Sequence, residues 1–319
     1  MQSEGGARVR NTGLAAAARR ARRSCLKARG PPSDKETVRG AQRQSAKQAA
    51  SANADISVVL TCFDSGPYLL EAVESALHQA GGAPHVVVVD DGSSDPATQK
   101  VLARLPKKVK LIRQPNAGVC AARNRGLEEV KTPYVLFLDG DDRLAADALA
   151  RMRKPLDDNP ALGFAYGSMR FFGAWDGELR FPAYDPFKLL YRHIIGLSAL
   201  VRWSVLEEIG GFDSSFEQFE DWELWLNALA HGWSGQQVDA TTIEYRRHGE
   251  SKWHEDRKSF RRVVRQLRAK HRDLYRRSTT LARTSGLRRH GQLFYRTYWA
   301  WRPIPARLEQ LLYSLRWAH

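Results

Sequence analysis

The chain has 319 residues, room for one large domain or two ordinary ones, and its 50 Lys and Arg against 35 Asp and Glu give a formal net charge of +15. It has no run of about 18 consecutive apolar residues, which excludes a hydrophobic transmembrane helix. Its three widely spaced cysteines, Cys25, Cys62 and Cys120, exclude a disulfide framework and a cysteine metal cluster and suit a reducing compartment.

The charge is uneven along the chain. Residues 1–54 carry 12 basic and 3 acidic side chains (+9) and residues 251–319 carry 18 and 4 (+14), while residues 55–250 carry 20 and 28 (−8). Residues 1–54 are rich in Arg, Ala, Ser, Gln and Gly and poor in large apolar side chains. They cannot bury enough surface to offset their chain entropy and are expected to be a disordered tail, with at most a short Ala-Arg helix around Leu14 to Lys27. No apolar run of signal-peptide length follows; an Arg-rich, acid-poor transit peptide is the competing reading.

From residue 55 the pattern changes to alternating strands and helices. Ile56 to Leu60 (ISVVL) reads as a buried strand, and Leu69, Val73, Ala76, Leu77 and Ala80 recur at helical spacing over Tyr68 to Ala80. Val86 to Val89 is a second strand, running into Asp90-Asp91-Gly92-Ser93-Ser94-Asp95. Pro96 fits the first turn of a helix through Leu105, capped by Ser94 or Asp95. Val109 to Ile112 is a third strand, a helix spans about Gly118 to Val130, and Tyr134 to Leu138 is a fourth strand. Such alternation predicts an α/β fold with a mostly parallel sheet and right-handed crossovers. No G-x-G-x-x-G follows the first strand and no G-x-x-x-x-G-K-[ST] occurs, which argues against dinucleotide-binding and P-loop folds.

The fourth strand ends in Asp139-Gly140-Asp141-Asp142. Carboxylates crowded at the carboxyl end of a buried strand repel one another unless a cation sits among them, and that edge of an open α/β sheet is where ligands bind. Oxygen-only ligands suit a hard ion, Mg²⁺ or Mn²⁺, which can bridge them to a diphosphate. A solvated acidic turn is the plain alternative. Further on, Phe219-Glu220-Asp221-Trp222 opens a helical pattern with Leu224, Trp225, Ala228 and Leu229 at core spacing. There a carboxylate also serves as a helix cap.

The C-terminal flank reads as ordered helix. Phe260, Val263, Val264, Leu267 and Leu274 share a face bordered by Arg261, Arg262, Arg265, Arg268 and Arg272. Leu308, Leu311, Leu312 and Leu315 repeat the spacing beside Tyr295, Tyr298, Trp299, Trp301, Tyr313 and Trp317. Basic amphipathic helices with Trp and Tyr suit an anionic membrane surface; the alternative is that the same faces pack on the catalytic domain. No nucleic-acid motif accompanies the basic charge, so no specific nucleic-acid partner is expected. The expected organisation is a tail over 1–54, a catalytic domain over 55–250 and a basic amphipathic helical extension over 251–319.

Five segments in order make the chain resemble the family-two glycosyltransferases, which have the GT-A fold: SVVLTCFDSGPYLLEAVESALHQ, VVVVDDGSSD, NAGVCAARNRG with VLFLDGDD, GGFDSSFEQFEDWELWLNALAHG, and YRRHGES. They cover Asp55 to about Ser251. The resemblance implies an inverting, metal-dependent transfer of a sugar from a nucleoside-diphosphate sugar, with a UDP-sugar favoured, to a lipid-linked or cell-surface glycan. It implies that Asp141 and Asp142 hold Mg²⁺ or Mn²⁺, that Asp139 meets the ribose or the ion's waters, and that His248 reaches the metal or diphosphate. Thr61 and Phe63 line the nucleobase loop, Asp91 accepts a uracil-type N–H, and Arg123 and Asn124 face the nucleotide or pyrophosphate. Asp221 is the implied general base, with Glu220 as its support or substitute. Phe63 and Asp64 stand where the family often has Tyr and Asn, which keeps a stacking face but puts a charge where an amide is usual. Gln310 and Arg316-Trp317 do not match the Q-x-x-R-W spacing of processive members, so one sugar per encounter is expected, at the cytoplasmic face of a membrane. Two other classes remain: a silent nucleotide-sugar-binding protein, against which intact Asp141, Asp142 and Asp221 count, and a nucleotidyltransferase, whose Gly-rich basic loop TCFDSGPYLL lacks.

Overall fold

A computed structural model describes residues 52–248 and 253–299. The expected tail helix around Leu14 to Lys27, Gly249 to Ser251 of the closing motif, and the leucines and aromatics from Trp301 to Trp317 lie outside the described residues. The described residues fall within one compact unit, and residues 260–299 share its core with the sheet.

Four parallel strands form the first half of a nine-stranded sheet: β1 (Ile56–Cys62), β2 (His85–Asp90), β3 (Val109–Arg113) and β4 (Tyr134–Asp139), in the order β3-β2-β1-β4. The helices α1 (Tyr68–Leu77), α2 (Pro96–Leu102) and α3 (Val119–Leu127) make the crossovers. β1, β2 and β4 are buried on both faces, as their near-continuous apolar content requires, whereas the edge strand β3 exposes Lys110 and Arg113. Successive side chains go to opposite layers. Val58, Leu60, Leu136 and Leu138 pack with Leu69, Val73 and Ala76 of α1 and with Leu149, Met152 and Leu156 of α4 (Ala148–Asp158). Val59, Val87, Val89, Val135 and Phe137 pack on the other side with α3.

The expected α1 terminus at Ala80 falls short at Leu77. Gln79 and Ala80 leave the helix to donate to the carbonyls of Ala145 (2.8 Å) and Ala146 (2.7 Å), which ties this turn to the start of α4. Asp95, rather than Ser94, caps α2 by accepting from the Thr98 N–H at 2.7 Å.

Beyond β4 the sheet becomes mixed. It continues through β8 (Leu200–Arg202), β6 (Leu162–Gly173), β9 (Ser234–Arg247) and the short β5 (Arg143–Leu144), with β7 (Gly177–Leu179) pairing β6. Between them lie α5 (Pro186–Leu189), α6 (Trp203–Ile209) and α7 (Glu220–Ala230). β9 runs back beside β5, which brings Arg246 and His248 over the turn after β4.

The C-terminal extension is α8 (Trp253–Lys270), α9 (Arg272–Arg276), α10 (Ser278–Thr284), α11 (Arg289–Phe294) and a π-helical turn over Tyr295–Trp299. The apolar face of its first helices packs on the rest of the domain. Phe260, Val263, Val264, Leu267 and Leu274 are all under 5% exposed, and they share one hydrophobic layer with Trp222, Trp225 and the sheet. Tyr295, Tyr298 and Trp299 join the same layer. Among the described residues no helix is long and apolar enough to cross a membrane.

Candidate active site

The carboxyl ends of β1, β2 and β4 meet at one edge. Sheet register sets Thr61 beside Val89 and Asp139, and Cys62 beside Asp90. Gly140 turns the chain away there, donating to the Thr61 carbonyl at 2.9 Å. A Cβ on it would lie 2.9 Å from that oxygen and from Ser65 Oγ, which explains a glycine within the acid run.

The acids have different surroundings. Asp139 is half-buried and pairs with Arg123 Nη2 at 2.9 Å. Asp141 is partly exposed, with Oδ2 2.8 Å from His248 Nε2. Asp142 is buried and accepts the Arg246 N–H at 2.8 Å. Burial and then the charges of Asp141 and Asp139 push its carboxyl well above the ordinary carboxylate range. Arg246 staples the turn: its Nε donates to the Asp141 carbonyl at 2.9 Å, its Nη2 reaches Glu71 at 2.7 Å, and its guanidinium lies between the Tyr68 and Phe172 rings at 4.1 and 4.4 Å. Arg246 lies inside the closing motif, so the signal for it was in the sequence although its task was not.

The loop after β2 is internally saturated. Asp91 accepts from Gln114 Nε2 (2.7 Å), Ala117 N (2.9 Å) and Gly118 N (3.0 Å), so its carboxylate organises the entry to α3. Asp64, one of two non-glycine residues at positive φ among the described residues (49°), accepts from Ser94 and Asp95 N–H at 2.7 and 2.8 Å and thereby locks the first-strand loop to the second. Phe63 beside it is 53% exposed, a free ring at the edge where Thr61 is buried.

Arg123 and Asn124 face inward. Asn124 donates to the Phe212 carbonyl (2.8 Å) and accepts its N–H (2.9 Å), so the expected nucleotide contact is replaced by a clamp on residue 212. Arg123, 3% exposed, donates to Asp139 at 2.9 Å and to Glu220 Oε1 at 2.6 Å. The pair of carboxylates keeps it firmly protonated despite burial. It links the end of β4 to the start of α7.

Glu220 and Asp221 begin α7 after Phe219, whose φ of 58° is a left-handed turn uncommon for an aromatic residue. Phe219 is held there by edge contacts with Trp222 and Phe260. Asp221 accepts from Trp222 N at 2.8 Å, and its Oδ2 lies 3.0 Å from His193 Nε2, at ion-pair distance though off line for a hydrogen bond. Burial raises the Asp221 carboxyl, but His193, with help from Arg123, more than offsets this and holds it below its ordinary value. Burial raises Glu220, and Arg123 only partly counters it. Two adjacent acids are thus driven in opposite directions, as acid–base sites require. His193 lies in a stretch with no motif around it, and only the fold reveals it.

Among the described residues no group of three or more His, Cys, Asp or Glu side chains is placed to hold a metal ion. Cys62 and Cys120 are buried thiols, each pushed up to about 12, mainly by burial, and are inert packing groups.

Comparison with known proteins agrees with this architecture. The chain is 32% identical over 197 residues to the succinoglycan biosynthesis protein ExoO of Rhizobium meliloti, covering 56% of each chain. It is 28% identical over 167 residues to the glycosyltransferase GlyA of Streptococcus pneumoniae, of which it spans only 22%. Among solved structures it resembles S. aureus TarS 1-349 in complex with UDP-GlcNAc (TM-score 0.54, 19% identity, 66% of each chain) and with UDP (TM-score 0.53, 74% of this chain and 76% of that one). Residues 57–206, just under half of the chain, match the Glycosyl transferase family 2 model, and the likeness to the TarS structures shows the GT-A glycosyltransferase fold.

Proposed function

We propose that the protein transfers a sugar from a UDP-sugar to a hydroxyl of a lipid-linked or cell-surface glycan, with inversion. The observation that carries this reading is the Asp139–Arg123–Glu220 link, which sets an acid turn suited to a diphosphate beside a buried acid pair suited to an acceptor hydroxyl. In a single displacement the acceptor oxygen bonds to the anomeric carbon as the bond to the diphosphate oxygen breaks. Asp221 takes the hydroxyl proton, and Glu220 supports it. Phe63 offers a stacking face to the base. The structures of TarS with UDP and UDP-GlcNAc, and the succinoglycan biosynthesis role in ExoO's name, favour this donor and a polysaccharide product.

The acid turn fits a divalent ion only in part, because no three of its described side chains converge to hold one. Asp141 and Asp142, with His248 beside Asp141, would offer it one or two carboxylates, and a small divalent ion commonly fills the rest of its shell with phosphate oxygens and water. Such an ion would neutralise charge developing on the departing diphosphate. Asp142, buried and raised, is the group whose discomfort a cation would relieve.

A thermal-shift panel of UDP-, GDP-, dTDP- and CDP-sugars, each with and without Mn²⁺, tests the reading. A ligand at about 100 times its Kd adds about 2.7 kcal/mol of stability. A UDP-sugar is expected to raise the melting point only with Mn²⁺. Asp142→Asn is expected to abolish that gain. Because the folded carboxyl lies above its unfolded value, its stabilising contribution is lost as pH rises. The ligand-free Asn variant is therefore expected to melt higher than wild type at neutral pH. Equal donor affinity in chelator and in Mn²⁺ would remove the metal from the proposal.

The same reading places the enzyme peripherally at the cytoplasmic face of a membrane. Leu293 is 62% exposed, beside exposed Phe294, Arg288 and Arg289. The leucine and tryptophan pattern of 308–317 adds to it in sequence. Cationic attraction to an anionic leaflet is screened by salt, whereas apolar insertion is not. Co-sedimentation with phosphatidylserine vesicles should therefore weaken in high salt without vanishing. It should fall when residues 300–319 are removed, a cut that spares core residues Tyr295, Tyr298 and Trp299. Equal vesicle binding by the full and shortened chains would refute this placement.

A further inference from the structure

The most informative group outside the assigned machinery is His193. It sits between α5 and β8, in a loop that several long-range contacts hold. Trp222 Nε1 donates to the Leu189 carbonyl at 2.7 Å, Tyr275 of α9 donates to the Leu190 carbonyl at 2.6 Å, and Arg192 lies 4.6 Å over the Trp299 ring. The imidazole stacks on Trp222 (centroids 6.3 Å, 22° between planes) and meets the edge of Phe219 at 6.2 Å. Its Nε2 is shielded from solvent, has no hydrogen-bond partner, and points to within 3.0 Å of Asp221 Oδ2.

We propose that His193 is the positioning residue of the acceptor-side acid, holding Asp221 in place and keeping it a carboxylate until an acceptor hydroxyl arrives. The inference rests on the reading of Asp221 as the base. A shielded ring nitrogen facing a carboxylate is satisfied only as a donor, and an imidazolium is the form that gains most. The surroundings agree. From α7 come Asp221 and Glu220, and from α3 comes Arg123, which also bears on Asp221. The ring also stacks on Trp222, meets the edge of Phe219 and is hydrogen-bonded to the Ile195 backbone. Phe260 of α8 stacks behind Trp222, and Lys270 and His271 are engaged with Glu223 farther along α7. The net result is a His raised above its ordinary value, burial notwithstanding, and an Asp held below its own. Asp221 then loses its base form only as pH falls through a lowered value.

This arrangement gives the C-terminal extension a catalytic consequence. Tyr275 and Trp299 fix the loop that carries His193, so the basic helices shape the acceptor side through packing.

The test uses the full chain and two variants, His193→Gln, which keeps a donor without a titrating charge, and His193→Phe, which keeps only the ring. UDP release from UDP-GlcNAc in water, followed across pH, should show its acidic limb moved to higher pH in both, with roughly tenfold more activity lost at the acidic end than on the plateau. His193→Gln should retain more plateau activity than His193→Phe. Independently, with ¹⁵N-labelled histidine, the imidazole signal missing from His193→Gln should titrate above the ordinary histidine value in wild type and fall in Asp221→Asn. A uniform loss with an unchanged pH profile, or a His193 titration indifferent to Asp221→Asn, overturns the proposal. If the titration couples as expected but Asp221→Asn turns over normally, the pair stands and the base assignment fails.

Discussion

Replacing Asp221 by Asn is expected to lower turnover about 10²-fold or more, the usual cost of losing a positioned general base, while donor affinity stays within a factor of about two. Under the proposed function the residue serves the acceptor; its contacts are Trp222 N and His193, while Arg123 ties its neighbour Glu220 to Asp139. The substitution preserves the Oδ1 acceptor for Trp222 N and removes only the charge and the basic oxygen, so α7 should still form. Its neighbour is a useful control. Glu220 is raised by burial and already committed to Arg123 at 2.6 Å, which makes it a poor site for taking a proton in the same step. Glu220→Gln should therefore cost less in turnover than Asp221→Asn. Steady-state UDP release with a fixed acceptor decides between them, and near-normal turnover of Asp221→Asn would move the base elsewhere.

What the chain revealed before its fold was known follows from the range of the interactions. The strands were legible because both their faces are buried, so Val86 to Val89 and Tyr134 to Leu138 carry their signal locally. The acid turn was legible because Asp139, Asp141 and Asp142 are contiguous. The tasks of Asp91, Asn124 and Arg123 were not, because their partners lie 16 to 97 residues away and nothing near them in sequence names those partners. An Asp that could accept a uracil N–H and an Asp that caps a loop have the same composition and the same neighbours. The α8 face shows the same limit in another form. A stripe of Phe260, Val263, Val264 and Leu267 is equally suited to lipid and to a protein core, and only the presence of Trp222 and Phe216 on the facing layer decides it. Glu223 belongs here too. It is fully buried on α7 and meets Lys270 and His271 at 2.7 and 2.9 Å, a clamp from the extension onto the catalytic helix that helical periodicity reads as an error in the apolar face.

Arg123→Met is expected to be the most destabilising single change at the site. Removing one partner from a buried ion pair typically costs about 3–5 kcal/mol, because the remaining charge is left uncompensated. Here Asp139 is 38% exposed and partly rescued by water, so a loss near the lower end, about 3 kcal/mol, is expected. In a unit of this size that lowers the melting temperature by roughly 6 °C or more. The pH dependence identifies the cause. Glu220 is already raised by burial, and Arg123 is the main influence lowering it, so the variant's carboxyl rises further. A raised carboxyl is tolerated as the neutral acid and costs stability as pH rises through its folded value. The deficit relative to wild type should therefore be larger near pH 8 than near pH 5. Adding Glu220→Gln to Arg123→Met should recover part of it, because the amide carries no charge to strand. Arg123→Lys should not restore the wild-type value, since an ammonium lacks the planar fork that reaches both carboxylates at once. Melting curves of the three variants at the two pH values measure all of this, and a deficit independent of pH and of Glu220→Gln would mean that Arg123 acts through its packing on Phe212, 5.2 Å from its guanidinium, and not through charge.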